Sequence, residues 1–166
     1  MGGSIVIDDH ELNTFAETLE LPEHRQLFDY WRSKFKSGRL PARKDFDPID
    51  IPNLLPGLSL IEAVWSQDAP RFRIRLVGTG VVEHFGRDAT GLWFEDAYDA
   101  EVCARQVADY TQIATTARPS LTQPIAPIPD REHIVCHRLV VPLTNGGDRV
   151  EQMMSLMIFN DMRLTD

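Results

Sequence analysis

Apolar residues recur about every four positions across residues 22–36. This period predicts an amphipathic helix, and Pro22 suits its first position. Two kinds of partner fit its aromatic face, the protein's own sheet and a second copy of the chain; the two are not exclusive, and the sequence leaves both open. The candidate dimer or partner surface consists of Leu27, Phe28, Trp31 and Phe35.

A pair of strands follows this helix. Residues 58–65 are almost continuously apolar, and residues 71–77 alternate with a period of two. In the second run Phe72, Ile74 and Leu76 share one face and three arginines share the other. Alternation of this kind predicts a half-buried strand, and the short turn between the runs predicts a hairpin.

The middle of the chain reads as helical, with a short helix over residues 79–85 and a long helix over 97–117. Proline at position 119 ends the second helix. The apolar face of the long helix consists of Cys103, Val107, Tyr110, Ile113, Ala114 and Ala117.

The last third predicts three strands, over residues 121–125, 134–143 and 149–159. In the second of these, His137, Leu139 and Val141 fall on one face. The last strand is apolar on both faces, so we expect the helix at 22–36 to cover its outer side. The chain is therefore predicted to be an α+β protein: a five-stranded antiparallel sheet with helices on one face, plus the N-terminal helix.

Composition and charge then limit the possible functions. The chain has 166 residues, 43% of them hydrophobic, which suits one domain over 21–166 after an N-terminal tail or short helix at 1–20. Seventeen basic against 25 acidic residues give a net charge of −8, which argues against nucleic acid and anionic membranes as partners. With two cysteines and no long apolar run, we expect a cytoplasmic protein.

Four stretches carry a resemblance to a known family: residues 40–56, 72–80, 86–91 and 139–143. Together with the order of two strands, a helical middle and three strands, they resemble a family of stand-alone PAS domain proteins found mainly in alphaproteobacteria. The resemblance spans residues 22–160. It implies a bacterial sensor or protein-interaction module of signal transduction rather than an enzyme.

The resemblance also implies where a ligand would bind, between the inner face of the sheet and the middle helices. The alternation of the strands then predicts which side chains line such a pocket, and a small apolar or amphipathic ligand fits them. The alternative is that the same side chains simply fill the core. The predicted pocket residues are Phe72, Ile74, Leu76, His137, Leu139 and Val141 from the sheet, and Trp93, Val107 and Tyr110 from the helical side.

Other chemistries find weaker support in the residues. Haem would need an axial ligand, for which His84 and His137 are the candidates. The short middle helix lacks the cysteine of flavin-based light sensors. We find no metal-ligand cluster and no nucleophile motif, and we interpret Glu95, Asp96 and Asp99 as acids that complement the start of the long helix.

The sequence therefore predicts a non-enzymatic sensory PAS domain that needs no cofactor. We expect it to bind a small molecule, a signalling partner protein, or both, and to form a homodimer. The alternatives are a ligand-free adaptor for protein–protein interaction and a haem or flavin redox sensor.

Overall fold

The structure is a computed structural model that describes residues 6–124 and 134–160. The predicted strand over 121–125 ends at a residue outside the described ones. The helices are α1 (Asp9–Ala16), α2 (Pro22–Ser33), α3 (Thr79–Phe85), α4 (Phe94–Ala97) and α5 (Ala100–Thr116). The strands are β1 (Leu58–Ser66), β2 (Ala69–Val77), β3 (Ser120–Thr122), β4 (Cys136–Leu143) and β5 (Gln152–Phe159). Short 3₁₀ turns at Arg43–Asp45, Pro48–Asp50 and Pro52–Gly57 lead from α2 to β1.

The strands form one sheet in the order β2-β1-β5-β4-β3. Every neighbouring pair is antiparallel. The prediction of a five-stranded antiparallel sheet in an α+β fold is therefore confirmed. Within the described residues no helix is long and apolar enough to cross a membrane.

Helices cover the sheet on both sides. On the inner face, Arg138 of β4 donates a hydrogen bond to Gln106 Oε1 of α5 over 2.5 Å. On the outer face, the indole N–H of Trp31 in α2 donates to the carbonyl oxygen of Pro142 over 2.9 Å. The structure thus confirms that α2 covers the outer face, and this cover explains why β5 is apolar on both sides.

The aromatic face of α2 is buried in the chain's own core, which corrects its assignment as a dimer or partner surface. Leu27, Phe28 and Trp31 are at most 1% exposed. Phe35 is half-buried, with its ring edge-on to Trp31 at 4.8 Å. Of the two partners the sequence allowed, the protein's own sheet is the one found, because the indole hydrogen bond to β4 holds the helix there.

A β-bulge changes which residues of β2 face inward. Ile61 of β1 pairs with Ile74, but the preceding residue, Leu60, pairs with Leu76, so Arg75 is an extra residue in β2. A bulge of this kind interrupts the alternation of the strand. Leu76 therefore lies on the outer face and is 53% exposed, and the prediction that it lines an inner pocket is wrong.

The two faces of β4 are reversed relative to the prediction. Arg138 points to α5, so His137, Leu139 and Val141 face the opposite side, under the N-terminal helices. His137 there interacts with the buried His24 of α2. Both faces of β4 are buried, so hydrophobicity alone does not distinguish them. These three residues are therefore not pocket residues.

The long helix begins later than predicted. Asp99 acts as its N-cap, accepting the N–H of Val102 over 2.9 Å, and α5 starts at Ala100. Residues 94–97 form the separate short helix α4. Tyr98, in the break between the two helices, has extended backbone angles. The break places this tyrosine beside the cavity described below.

β2 leaves the sheet through a close backbone approach at Gly78. Its N–H donates to the carbonyl oxygen of Leu58 over 2.6 Å. A Cβ at this position would overlap the carbonyl oxygens of Leu55, Pro56 and Leu58. The contact requires glycine and starts α3 immediately after the strand.

Candidate functional site

A cavity of about 220 Å³ lies between the inner face of the sheet and helices α3 to α5. A cavity of ~150 Å³ admits benzene, and pockets for drug-sized ligands begin at ~300 Å³, so this space suits a small molecule. Its wall is largely apolar with a few polar groups. The residues of the wall are Ser59, Ile61, Ile74, Val77, Val81, Phe85, Arg87, Ala89, Ala97, Tyr98, Asp99, Val102, Tyr110 and Met157.

Two of the nine predicted pocket residues, Ile74 and Tyr110, lie on this wall. Phe72 is buried directly behind it, with its ring 5.9 Å from that of Tyr110. Val107 is half-buried on α5, packed against the core but off the wall. Trp93 lies at the free edge of β2, where the guanidinium of Arg71 stacks over it at 4.0 Å.

Tyr98 and Tyr110 bring two phenol rings to the wall. Burial, with a smaller contribution from the neighbouring Tyr110, raises the pKa of Tyr98 to about 12. The phenol of Tyr98 therefore keeps its proton at neutral pH and can donate a hydrogen bond. The cavity thus combines aromatic surface with a neutral donor.

The charged groups of the wall, Arg87 and Asp99, are both exposed and lie at its solvent side. Gly86, in the left-handed conformation with φ 74°, ends α3 and places Arg87 directly after the turn. The carboxylate of Asp99 is engaged as the N-cap of α5. No carboxylate of the described residues pairs with Arg87, whereas most of the described arginines have one.

A buried charge lies next to the cavity in the sheet. Arg138 is 1% exposed and contacts Gln106, Asp109 and the ring face of Tyr110. Its bond to Asp109 measures 2.9 Å, and the guanidinium carbon lies 5.1 Å from the Tyr110 centroid. These contacts connect β4 to α5 through a residue of the cavity wall.

No histidine or cysteine lines the described part of the wall. His84 of α3 instead stacks on Phe159 at 4.0 Å, with its Nδ1 2.8 Å from the carbonyl oxygen of Gly80. His137 lies on the other side of the sheet. Among residues 6–124 and 134–160, no group of three or more His, Cys, Asp and Glu side chains could hold a metal ion. The described wall therefore offers neither of the candidate haem ligands to a bound group.

Two of the three acids near the start of α5 have structural partners. Asp99 caps the helix, and Glu95 pairs with Arg71. That guanidinium lowers the pKa of the Glu95 carboxyl.

Sequence reasoning missed several residues on or beside the wall, and two of them, Arg87 and Arg138, carried a usable signal. Arg87 follows a glycine that ends a predicted helix, where the chain turns back toward the sheet. Arg138, beside the wall, is a single charge in an apolar strand, and a charge in such a run must find a buried partner. Tyr98 gave no signal, because its position depends on the break before α5.

We compared the chain with protein-family models and with curated proteins. No curated protein matches the chain significantly. A family model described as PAS domain matches residues 19–158, which includes α2, the whole sheet except its last residue, and every wall residue of the cavity. The chain therefore belongs to the PAS domain family.

Proposed function

We propose that this PAS domain senses a small molecule bound in the cavity between the sheet and helices α3 to α5. Membership of the PAS family gives the chain a sensory or signalling role. The observation that supports a ligand is the cavity itself, about 220 Å³ with an apolar wall and a tyrosine donor. A site of that composition binds small organic molecules better than water or metal ions.

The contacts around Arg138 suggest how ligand binding in the cavity would change the structure on the other side of the sheet. A ligand touching Tyr110 changes the ring against which Arg138 stacks. Arg138 belongs to β4, and the other face of β4 lies under α2. The proposed output is therefore a shift of α2 that a partner protein or a second copy of the chain reads, with no enzymatic step.

The protein would act in the bacterial cytoplasm as a homodimer of the stand-alone PAS type to which its motifs are similar. The dimer contact would lie outside the aromatic face of α2, because that face is buried within each chain.

The test is native mass spectrometry of the purified protein, with an absorbance scan. We expect a reproducible extra mass that is lost in Ile74→Trp, which fills the cavity, and retained in the control Ile49→Trp. Ile49 is 77% exposed and lies away from the wall. An extra mass that survives Ile74→Trp would place the ligand elsewhere, and a haem or flavin spectrum would favour a redox sensor.

A second candidate function, a ligand-free adaptor, is favoured by one observation on the outer face. Leu76 and Leu55 are 53% and 39% exposed, and both line a groove of about 230 Å³ beside β1 and β2. Exposed apolar surface of this kind marks protein contacts. A bare mass in the native spectrum, together with loss of a copurifying partner in Leu76→Asp, would favour the adaptor.

A further inference from the structure

Arg87 is a cation at the cavity, and no carboxylate in residues 6–124 and 134–160 pairs with it. It lies on the wall, close enough to Tyr98 for its charge to lower the pKa of that phenol against the stronger effect of burial. No described carboxylate lies within salt-bridge distance of it. A guanidinium presents a planar fork of donors that matches a carboxylate in two parallel hydrogen bonds.

The other charge of the wall does not cancel Arg87. Asp99 Oδ1 accepts the N–H of Val102 at the first turn of α5. The positive end of that 17-residue helix offsets the negative charge of the carboxylate. The other described residues of the wall are uncharged, so in the described part of the chain the cavity presents Arg87 as its one unpaired positive group.

The inner part of the cavity selects for a flat apolar body. Ile74 and Val81 are buried aliphatic residues, and Phe85 and Tyr110 add aromatic rings. Aromatic rings stack on or meet other rings edge-on with a preference beyond simple burial. The volume of about 220 Å³ leaves room for a single ring with a short substituent.

We propose that the ligand is a small amphipathic carboxylate, with its apolar body between Ile74 and Tyr110 and its carboxylate on Arg87. This inference rests on the proposed function and adds the chemical class of the ligand. The phenol of Tyr98 supplies a neutral donor beside the same end of the molecule.

The test compares two probes of one shape, benzoate and benzamide, by isothermal titration. Dissociation constants of the order of 1 mM are expected for molecules so small. The wild-type protein should bind benzoate about tenfold more tightly than benzamide, because only benzoate forms the charge-assisted pair. In Arg87→Gln that ratio should fall to within about twofold, while Arg87→Lys should keep part of it.

Two controls locate the effect. Arg105→Gln removes an exposed arginine of α5 that lies outside the wall, and it should leave the preference for benzoate unchanged. Ile74→Trp should abolish the binding of both probes. Circular dichroism of each variant checks that the fold is retained, which we expect for Arg87→Gln because the side chain is exposed.

The outcomes separate this inference from the function on which it rests. Equal binding of benzoate and benzamide to the wild-type protein, or a preference that survives Arg87→Gln, overturns the carboxylate assignment and leaves the cavity as a ligand site. Binding of both probes that survives Ile74→Trp overturns the cavity as the site. Failure of both probes to bind at ~10 mM, ten times the expected constant, overturns this inference, while the extra mass in the native spectrum and its loss in Ile74→Trp decide the proposed function.

Discussion

His24 makes the folded state sensitive to acid. Its side chain is 1% exposed beneath the sheet, and its Nε2 has no hydrogen-bond partner. Burial lowers the pKa of His24 from 6.5 to about 4, with a smaller lowering from His137. The carbonyl oxygens of Leu156 and His137 and the charge of Glu23 raise the pKa less than burial lowers it.

The sign and size of the effect follow from these two values. Between pH 6.5 and pH 4 the unfolded chain binds a proton at this histidine and the folded chain does not, so stability falls as the pH falls. The gap is 2.5 pH units (6.5 − 4), and each unit is worth about 1.4 kcal/mol. The difference in the pKa of His24 should therefore lower the free energy of unfolding by about 2 kcal/mol at pH 5 and about 3 kcal/mol at pH 4, relative to neutral pH.

The measurement is urea unfolding, followed by tryptophan fluorescence, of the wild-type protein and His24→Leu from pH 7 to pH 4.5. Leucine has a similar volume and takes no proton, so the variant should lose about 2 kcal/mol less than the wild type between pH 7 and pH 5. His10→Leu, which removes an exposed histidine of α1, is the control and should follow the wild type. Parallel pH profiles for the wild type and His24→Leu would refute the reasoning.

The remaining predictions concern stability. Gly78→Ala should lower the free energy of unfolding in urea by about 2–3 kcal/mol, because its Cβ would overlap fixed carbonyl oxygens. Gly147→Ala should lower it far less, because that Cβ meets only the end of a flexible side chain. Equal losses for the two variants would contradict the packing argument. Asp109→Asn should cost about 2 kcal/mol although the aspartate is partly exposed, because it leaves the buried charge of Arg138 with a neutral partner. The control, Glu101→Gln, removes an exposed ion pair on α5 and should lower the free energy of unfolding by at most about 0.5 kcal/mol. If Asp109→Asn lowers it by no more than this control, Arg138 needs no anionic partner.

The sequence predicted the architecture well because the hairpin and the terminal strands carry strong local signals. Residues 71–75 alternate cleanly, and Phe72 and Ile74 are buried as that alternation requires. The prediction fails one residue later, because a bulge depends on how β2 pairs with β1 and not on the residues of β2 alone.

The candidate site was harder to predict for a different reason. Both faces of β4 are buried, so its alternation of apolar residues could be assigned to either helix layer. A single polar contact decides the question, since Arg138 reaches Gln106 and Asp109 on α5. The sequence alone can predict that a residue is buried. When both faces of a sheet are covered, the face on which the residue lies depends on contacts with distant parts of the chain.

The extra residue in β2 also bears on how this cavity can change over time. Because Arg75 is inserted opposite β1, Val77 reaches the cavity wall while Leu76 faces outward. Deletion of that one codon would make the pairing regular and leave Leu76 opposite Leu60 and Val77 opposite Ser59, so both side chains would keep their faces. A lineage can therefore gain or lose this residue while the binding site keeps its shape, because the bulge absorbs the change in length.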